Sequence, residues 1–324
     1  MSARRLMGEV MQNSGQIETL LTEAQNRMRE GSFSKAEEQL EQALEIDFEH
    51  PEVLSSLKCC SFWKEREKRY RDIQEEFDRG EYLLKQWKAF QGFLSRFETP
   101  IEQEVYALRQ WVFGSALNSY KKVLRSEEEP DEDILIRIGR CYKGIGDYDK
   151  ALEFFESAGR KKKDEPLFLA ELGDCYAFLG ETKASKAFFR EAFFIDPQRV
   201  ELEFLESGLI VRLIERLLDM GYSKPEINEW IPVYGVLLGV FNVKRELRPL
   251  EYGKLKQSIY GLERQLHEEE PSEEETIYLV PRLLNRYFWL IDHYVNSHEN
   301  RERVEEILKK IKKIDETVYE HYIN

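Results

Sequence analysis

The residues of this 324-residue chain whose types could do chemistry are four cysteines, five histidines and 62 carboxylates. Cys59 and Cys60 are adjacent and no CxxC occurs anywhere, so the thiols lack the spacing of a metal site or a redox pair. His293 and His298 could be imagined as ligands, with Asp292 beside the first. Five residues apart on a helix they face different ways, and the second falls in an expected turn. Among so many carboxylates no acid–base pair of the glycosidase kind stands out. A Gly-rich phosphate loop, a nucleophile elbow, an HExxH and a Cys/His nucleophile signature are all missing. The chain therefore reads as a non-enzyme that needs no cofactor and no metal.

Charge narrows the partners. The 48 basic residues against 62 acidic give a formal charge of −14, which opposes close approach to nucleic acid or anionic lipid. The longest basic run, Arg160 to Lys163, follows a predicted helix and reads as a solvated turn that complements the helix C-terminus. The acidic run His267 to Glu275 reads as a loop in which Ser272 and Glu275 form a capping box for the next helix. The most apolar stretch, Trp230 to Phe241, is 12 residues long against the roughly 20 that span a bilayer, and reads as a buried helix. The first residues show no secretory pattern, and together with the cysteine usage this sets the expectation of a cytoplasmic protein without membrane insertion.

What positions these residues is a repeat. Gly139 and Gly173, Cys141 and Cys175, Tyr142 and Tyr176, Gly146 and Gly180, Phe155 and Phe189, and Ala158 and Ala192 are each 34 residues apart. Within each copy, Gly139 and Gly173 fall inside a helix, where Gly costs about 1 kcal/mol against Ala. Close packing against a partner helix explains them. Gly146 and Gly180 end the same helix, where a left-handed backbone suits Gly. Following turn glycines outward, Gly31, Gly80, Gly114, Gly146 and Gly180 suggest five units, with about 15 extra residues between Gly31 and Gly80 that lengthen a helix through 61–80.

A 34-residue period with Leu/Ile-Gly, a Tyr three residues on, a Gly turn, then Ala and Phe, resembles the tetratricopeptide repeat. The marks are Leu135, Ile138, Gly139, Tyr142, Gly146, Tyr148, Ala151, Phe155 and Ala158, then Leu169, Leu172, Gly173, Tyr176, Gly180, Phe189, Ala192 and Pro197, with Ser185 where Ala is usual. The resemblance implies an all-α, right-handed superhelical solenoid of antiparallel helix pairs. Residues 1–15 are expected as a flexible segment, 16–199 as an array of about five repeats, and 200–324 as diverged helical hairpins with a charged capping helix. In that last part helices are expected near Val200 to Met220, Lys224 to Phe241, Pro249 to Glu268, Glu274 to Asn296 and Arg301 to Tyr322. Trp63, Trp87, Trp111, Trp230 and Trp289 sit in apolar contexts and are expected in the core.

The same resemblance implies a protein-interaction scaffold that receives a peptide or a helix in a concave groove lined by the first helix of each repeat. By register, the groove candidates are Gln25, Met28 and Arg29; Tyr106, Arg109 and Gln110; Arg140 and Lys143; and Asp174, Ala177 and Phe178. Arg140 and Asp174 could equally pair with each other across the repeat boundary. The Lys and Asn, one turn apart, with which some family members grip a chaperone's C-terminal carboxylate are replaced here by Ile136 and Arg140, Ala170 and Asp174, and Leu21 and Gln25. That partner is not carried over. Phe188, Phe193 and Phe194, like Phe154, exceed what the motif asks for. They pack against the helix expected after Val200, or else form a self-association surface of a homo-oligomer.

Overall fold

In a computed structural model, the structure describes residues 3–94, 96–97, 101–126, 131–159, 164–268, 272–297 and 301–324. The described residues form fifteen α-helices and two 3-10 turns, with no strand among them. The chain is all-α and divides into two compact units, Met1–Ala158 and Gly159–Asn324.

The first unit holds α1 (Ala3–Arg29), α2 (Phe33–Ile46), α3 (Pro51–Asp72), α4 (Glu76–Leu94), α5 (Glu102–Ser126), α6 (Glu132–Ile145) and α7 (Tyr148–Gly159). Helix α2 lays Phe33, Ala36, Leu40 and Ala43 inward, the 3–4 spacing of one helical face. Helix α5 packs on α1, α4 and α6. Its Trp111 meets Phe33 edge-on at 4.8 Å and Trp63 at 5.6 Å, and Trp63 meets Phe90 at 5.4 Å. All five tryptophans are buried, as their apolar contexts suggested. Gly139 lies against Phe155 of α7, whose ring a Cβ would meet at 2.6 Å, and Gly146 turns the chain at φ +88°.

Residues 3–15, expected as a flexible segment, form the first turns of α1. Two expectations for this unit are corrected. The helix expected to run unbroken through 61–80 stops at Asp72 and restarts at Glu76. Gly80 and Gly114 are not turns: both lie inside helices, α4 and α5, and neither has positive φ. Gly80 is instead a packing glycine under Tyr120, while Gly114 has nothing within 4 Å of a Cβ position. The spacing of these glycines coincides with the repeat without sharing its cause.

The second unit holds α8 (Pro166–Phe178), α9 (Thr182–Ile195), 3-10 turns at Pro197–Arg199 and Leu202–Phe204, α10 (Gly208–Asp219), α11 (Glu226–Leu237), α12 (Pro249–Glu268), α13 (Glu273–Asn296), α14 (Arg301–Ile314) and α15 (Glu316–Ile323). Helices α8 and α9 repeat the α6–α7 pattern, with Gly173 against Phe189 and Gly180 at φ +81°. Helix α13 packs on α11, α12 and α14 and buries Leu283, Leu284, Tyr287, Phe288, Leu290 and Ile291. The capping box expected for it forms: Glu275 N donates to Ser272 Oγ at 3.3 Å, and Ser272 N donates to Glu275 Oε2 at 3.0 Å.

Here too some boundaries move. The single helix expected over Val200–Met220 becomes the second 3-10 turn followed by α10, and the one expected over Arg301–Tyr322 breaks at Asp315, whose carboxylate caps α15 by accepting from Val318 N at 2.9 Å. The apolar run Trp230 to Phe241 is a buried helix only to Leu237. After Gly239 the chain folds back and inserts Phe241 against Phe189 and Phe193. Among the described residues no helix is long and apolar enough to cross a membrane.

Candidate interaction surface

The groove candidates part ways once side chains are placed. On α1, Met28 is fully buried and Gln25 is buried, its Nε2 donating to Glu104 Oε1 at 2.9 Å. Ser56 of α3 donates to the same oxygen at 2.7 Å, so Glu104 joins α1, α3 and α5 from the inside. Arg29 is exposed and its guanidinium lies 5.4 Å from the ring centre of Tyr106, which is itself 54% exposed on α5. One turn further on, the half-buried Arg109 donates from Nε to Gly144 O at 2.7 Å and Gln110 donates to Ile145 O at 3.0 Å. These two satisfy carbonyls that the last turn of α6 leaves unpaired. Their donors are committed to the fold.

Arg140 and Lys143, expected to line the groove, are buried, with exposures of 7% and 2%. Long cationic side chains can reach out of a helix layer, but here the heads stay in with the stems. Asp174 is fully buried, and its carboxylate accepts from Glu206 N at 3.0 Å and Ser207 N at 2.8 Å, holding the strand of chain that leads into α10. It is an anchor for an irregular segment rather than a surface acid. Ala177 and Phe178 are half-buried near the end of α8.

The extra phenylalanines are also corrected. Phe193 is fully buried on Phe241, and Phe194 packs on Trp289 of α13 at 4.4 Å with the Arg286 guanidinium 4.0 Å from its ring centre. Phe193 is thereby closed off from solvent while Phe194 stays half-buried, and the partners named come from the hairpin after α11 and from α13 rather than from the helix after Val200. Phe188 is half-buried and stacks on Tyr176 at 5.4 Å, within 3° of parallel. In the preceding pair Phe154 stacks on Tyr142 at the same 5.4 Å. Phe154 and Phe188 are thus a further 34-residue equivalence, an aromatic stack between the two helices of each pair.

Several buried charges were not anticipated. Glu229 of α11, fully buried, accepts from Arg282 Nε at 2.9 Å and Nη2 at 2.6 Å and from Gln198 Nε2 at 3.0 Å. Asp292 pairs with the buried Arg190, with Lys244 Nζ 3.6 Å away. His293 is buried and its Nδ1 accepts from Leu247 N at 3.1 Å, which gives it a structural post. His298 and the basic run Arg160 to Lys163 lie outside the described residues. Among the described residues no group of three or more His, Cys, Asp and Glu is placed to hold a metal ion. All four cysteines are unbridged and buried; burial foremost pushes the Cys59 and Cys60 thiols up to about 12, which makes them poor nucleophiles.

Residues 132–158 and 168–199 match the family model described as Tetratricopeptide repeat. No curated protein matches the chain.

Proposed function

We propose that this tetratricopeptide-repeat-containing chain is a non-catalytic scaffold of the cytoplasm that holds a segment of a partner protein, and that the first unit receives it at Arg29 and Tyr106. Repeats of this family generally mediate protein–protein interaction, which supports the class of function. The observation that carries the place is the exposed guanidinium of Arg29 set beside an exposed tyrosine ring, two residue types that dominate binding energy at interfaces. Of the polar candidates in the first unit, Gln25, Arg109 and Gln110 donate to the protein itself, and Arg140 and Lys143 are buried. Arg29 can take a carboxylate or a pair of backbone carbonyls while Tyr106 supplies apolar area. Four unbridged buried thiols suit a reducing compartment.

A display library of short peptides selected on the full chain tests this. Selected peptides should lose about tenfold or more in affinity, the equivalent of about 1.4 kcal/mol, to Arg29→Glu and to Tyr106→Ala variants that keep the wild-type circular dichroism. Peptides that bind both variants as tightly as the wild type would remove the patch from consideration. Charge reversal at Arg140 or Lys143 is a poor probe, because it places an acid in a buried site.

A further inference from the structure

In the second unit, the end of α9, the turn after it, α11 and α13 enclose a cavity of about 150 Å³. Its polar walls are Asp196, Glu229, Arg282, Asn285 and Arg286. Most of these groups are already committed. Glu229 takes its three donors from Arg282 and Gln198, Asp196 Oδ1 accepts from Gln198 N at 3.1 Å, and Asn285 Nδ2 donates to Phe193 O at 3.3 Å. Arg286 is different. Its guanidinium carbon lies 4.0 Å from the ring centre of Phe194 and its Nε reaches only Ser258 Oγ, at 3.4 Å, while its terminal nitrogens make no hydrogen bond to a carboxylate or carbonyl of the described residues.

Arg286 is half-buried, and its terminal nitrogens are donors that the described residues leave unused at the wall of this cavity. Burial, and then the neighbouring Arg282, pull the Arg286 pKa down to about 10, so it still carries its charge at neutral pH. We propose that this cavity is a binding site for one carboxylate group, received by the terminal nitrogens of Arg286. A planar carboxylate matches the guanidinium fork, with two parallel hydrogen bonds. The choice of a carboxylate over a phosphate follows from the other walls. Asp196 and Glu229 already balance the two arginines in formal charge, so a second negative charge on the ligand would meet theirs at close range. The carboxylate belongs either to a free small acid or to an Asp or Glu side chain of a peptide. The site lies outside the proposed docking patch and stands without it.

Thermal melts of the full chain in chloride, acetate and phosphate at matched pH and ionic strength test the assignment, for the wild type and for Arg286→Met. Acetate should raise the wild-type midpoint above that in chloride and leave the variant unmoved, whereas in chloride the variant should melt no lower than the wild type, since a thioether still covers Phe194. A capped tripeptide with one central Glu separates the two sources: a larger rise than acetate at equal concentration assigns a peptide ligand, an equal or smaller rise a small acid. The proposal is overturned if acetate does not stabilise the wild type, if the variant responds as strongly, or if phosphate outperforms acetate. Should Arg286→Met not fold, the Nε–H resonance of Arg286 in the wild type must still move on acetate titration; a stationary signal also rejects the site.

Discussion

Single residues here are best understood by asking where each buried charge finds its counter-charge. Asp292 and Arg190 are 6% and 4% exposed, and Arg190 also lies 4.6 Å from the Trp289 ring centre. Removing one partner of such a pair leaves the other desolvated and alone. Asp292→Ala should therefore lower unfolding free energy by about 3–5 kcal/mol in urea titration, while an Arg190→Met/Asp292→Leu double variant should lose much less. A double variant as unstable as the single one would show that the pair contributes more than charge compensation. Glu251 gives the pH signature. Its hydrogen bond from Arg245 first, then that from Arg248 N, holds its carboxyl at about 2, below the ordinary 4.5. The stability it contributes is present above about pH 4.5 and is lost as pH falls towards about 2. An acid titration of Glu251→Gln should accordingly be flatter over that window than that of the wild type. Part of this was legible beforehand. Glu104 shares the 3–4 spacing of Ala107, Leu108 and Trp111, and an acid on an apolar stripe signals a buried hydrogen-bonded group. No spacing rule connects Arg190 to Asp292, 102 positions away.

At the scale of helices, glycines show where periodicity stops being informative. Gly146 and Gly180 turn the chain and Gly139 and Gly173 admit a phenylalanine, so the 34-residue spacing has a physical cause in α6 to α9. Gly80 and Gly114 continue the same arithmetic inside α4 and α5. Their substitution should split them. Gly114→Ala, with open space at the Cβ and a helical backbone, should stabilise by about 0.5–1 kcal/mol. Gly80→Ala, whose Cβ would stand 2.4 Å from the Tyr120 ring, should destabilise by about 1–3 kcal/mol. Thermal melts of the two variants check both signs; a loss on Gly114→Ala would restore a turn there. The Phe154 and Phe188 stacks were equally present in the spacing, but each looks surplus until its tyrosine is seen across the helix pair.

Over the whole molecule, a formal charge of −14 sets a self-repulsion that no single ion pair reports. Many of the ion pairs present are on the surface and contribute about 0–1 kcal/mol each. Screening should thus help more than it harms, and the melting midpoint should rise as ionic strength increases from about 10 mM to about 150 mM, where the Debye length shrinks from about 30 Å to about 8 Å. A falling midpoint would mean that surface pairs outweigh the net charge. The amino-acid sequence by itself determined the all-helical class, the two repeats over 132–199, the burial of the tryptophans and the cap at Ser272. Each of these follows from residues within one or two helical turns, or one repeat, of each other. Only the tertiary structure decided that Arg140, Lys143 and Asp174 are interior, that Phe193 and Phe194 face a hairpin and α13, and that Arg286 hydrogen-bonds to no acid among the described residues. Those outcomes depend on which distant helix lies opposite, a choice made by summed packing over the chain and written in no local pattern.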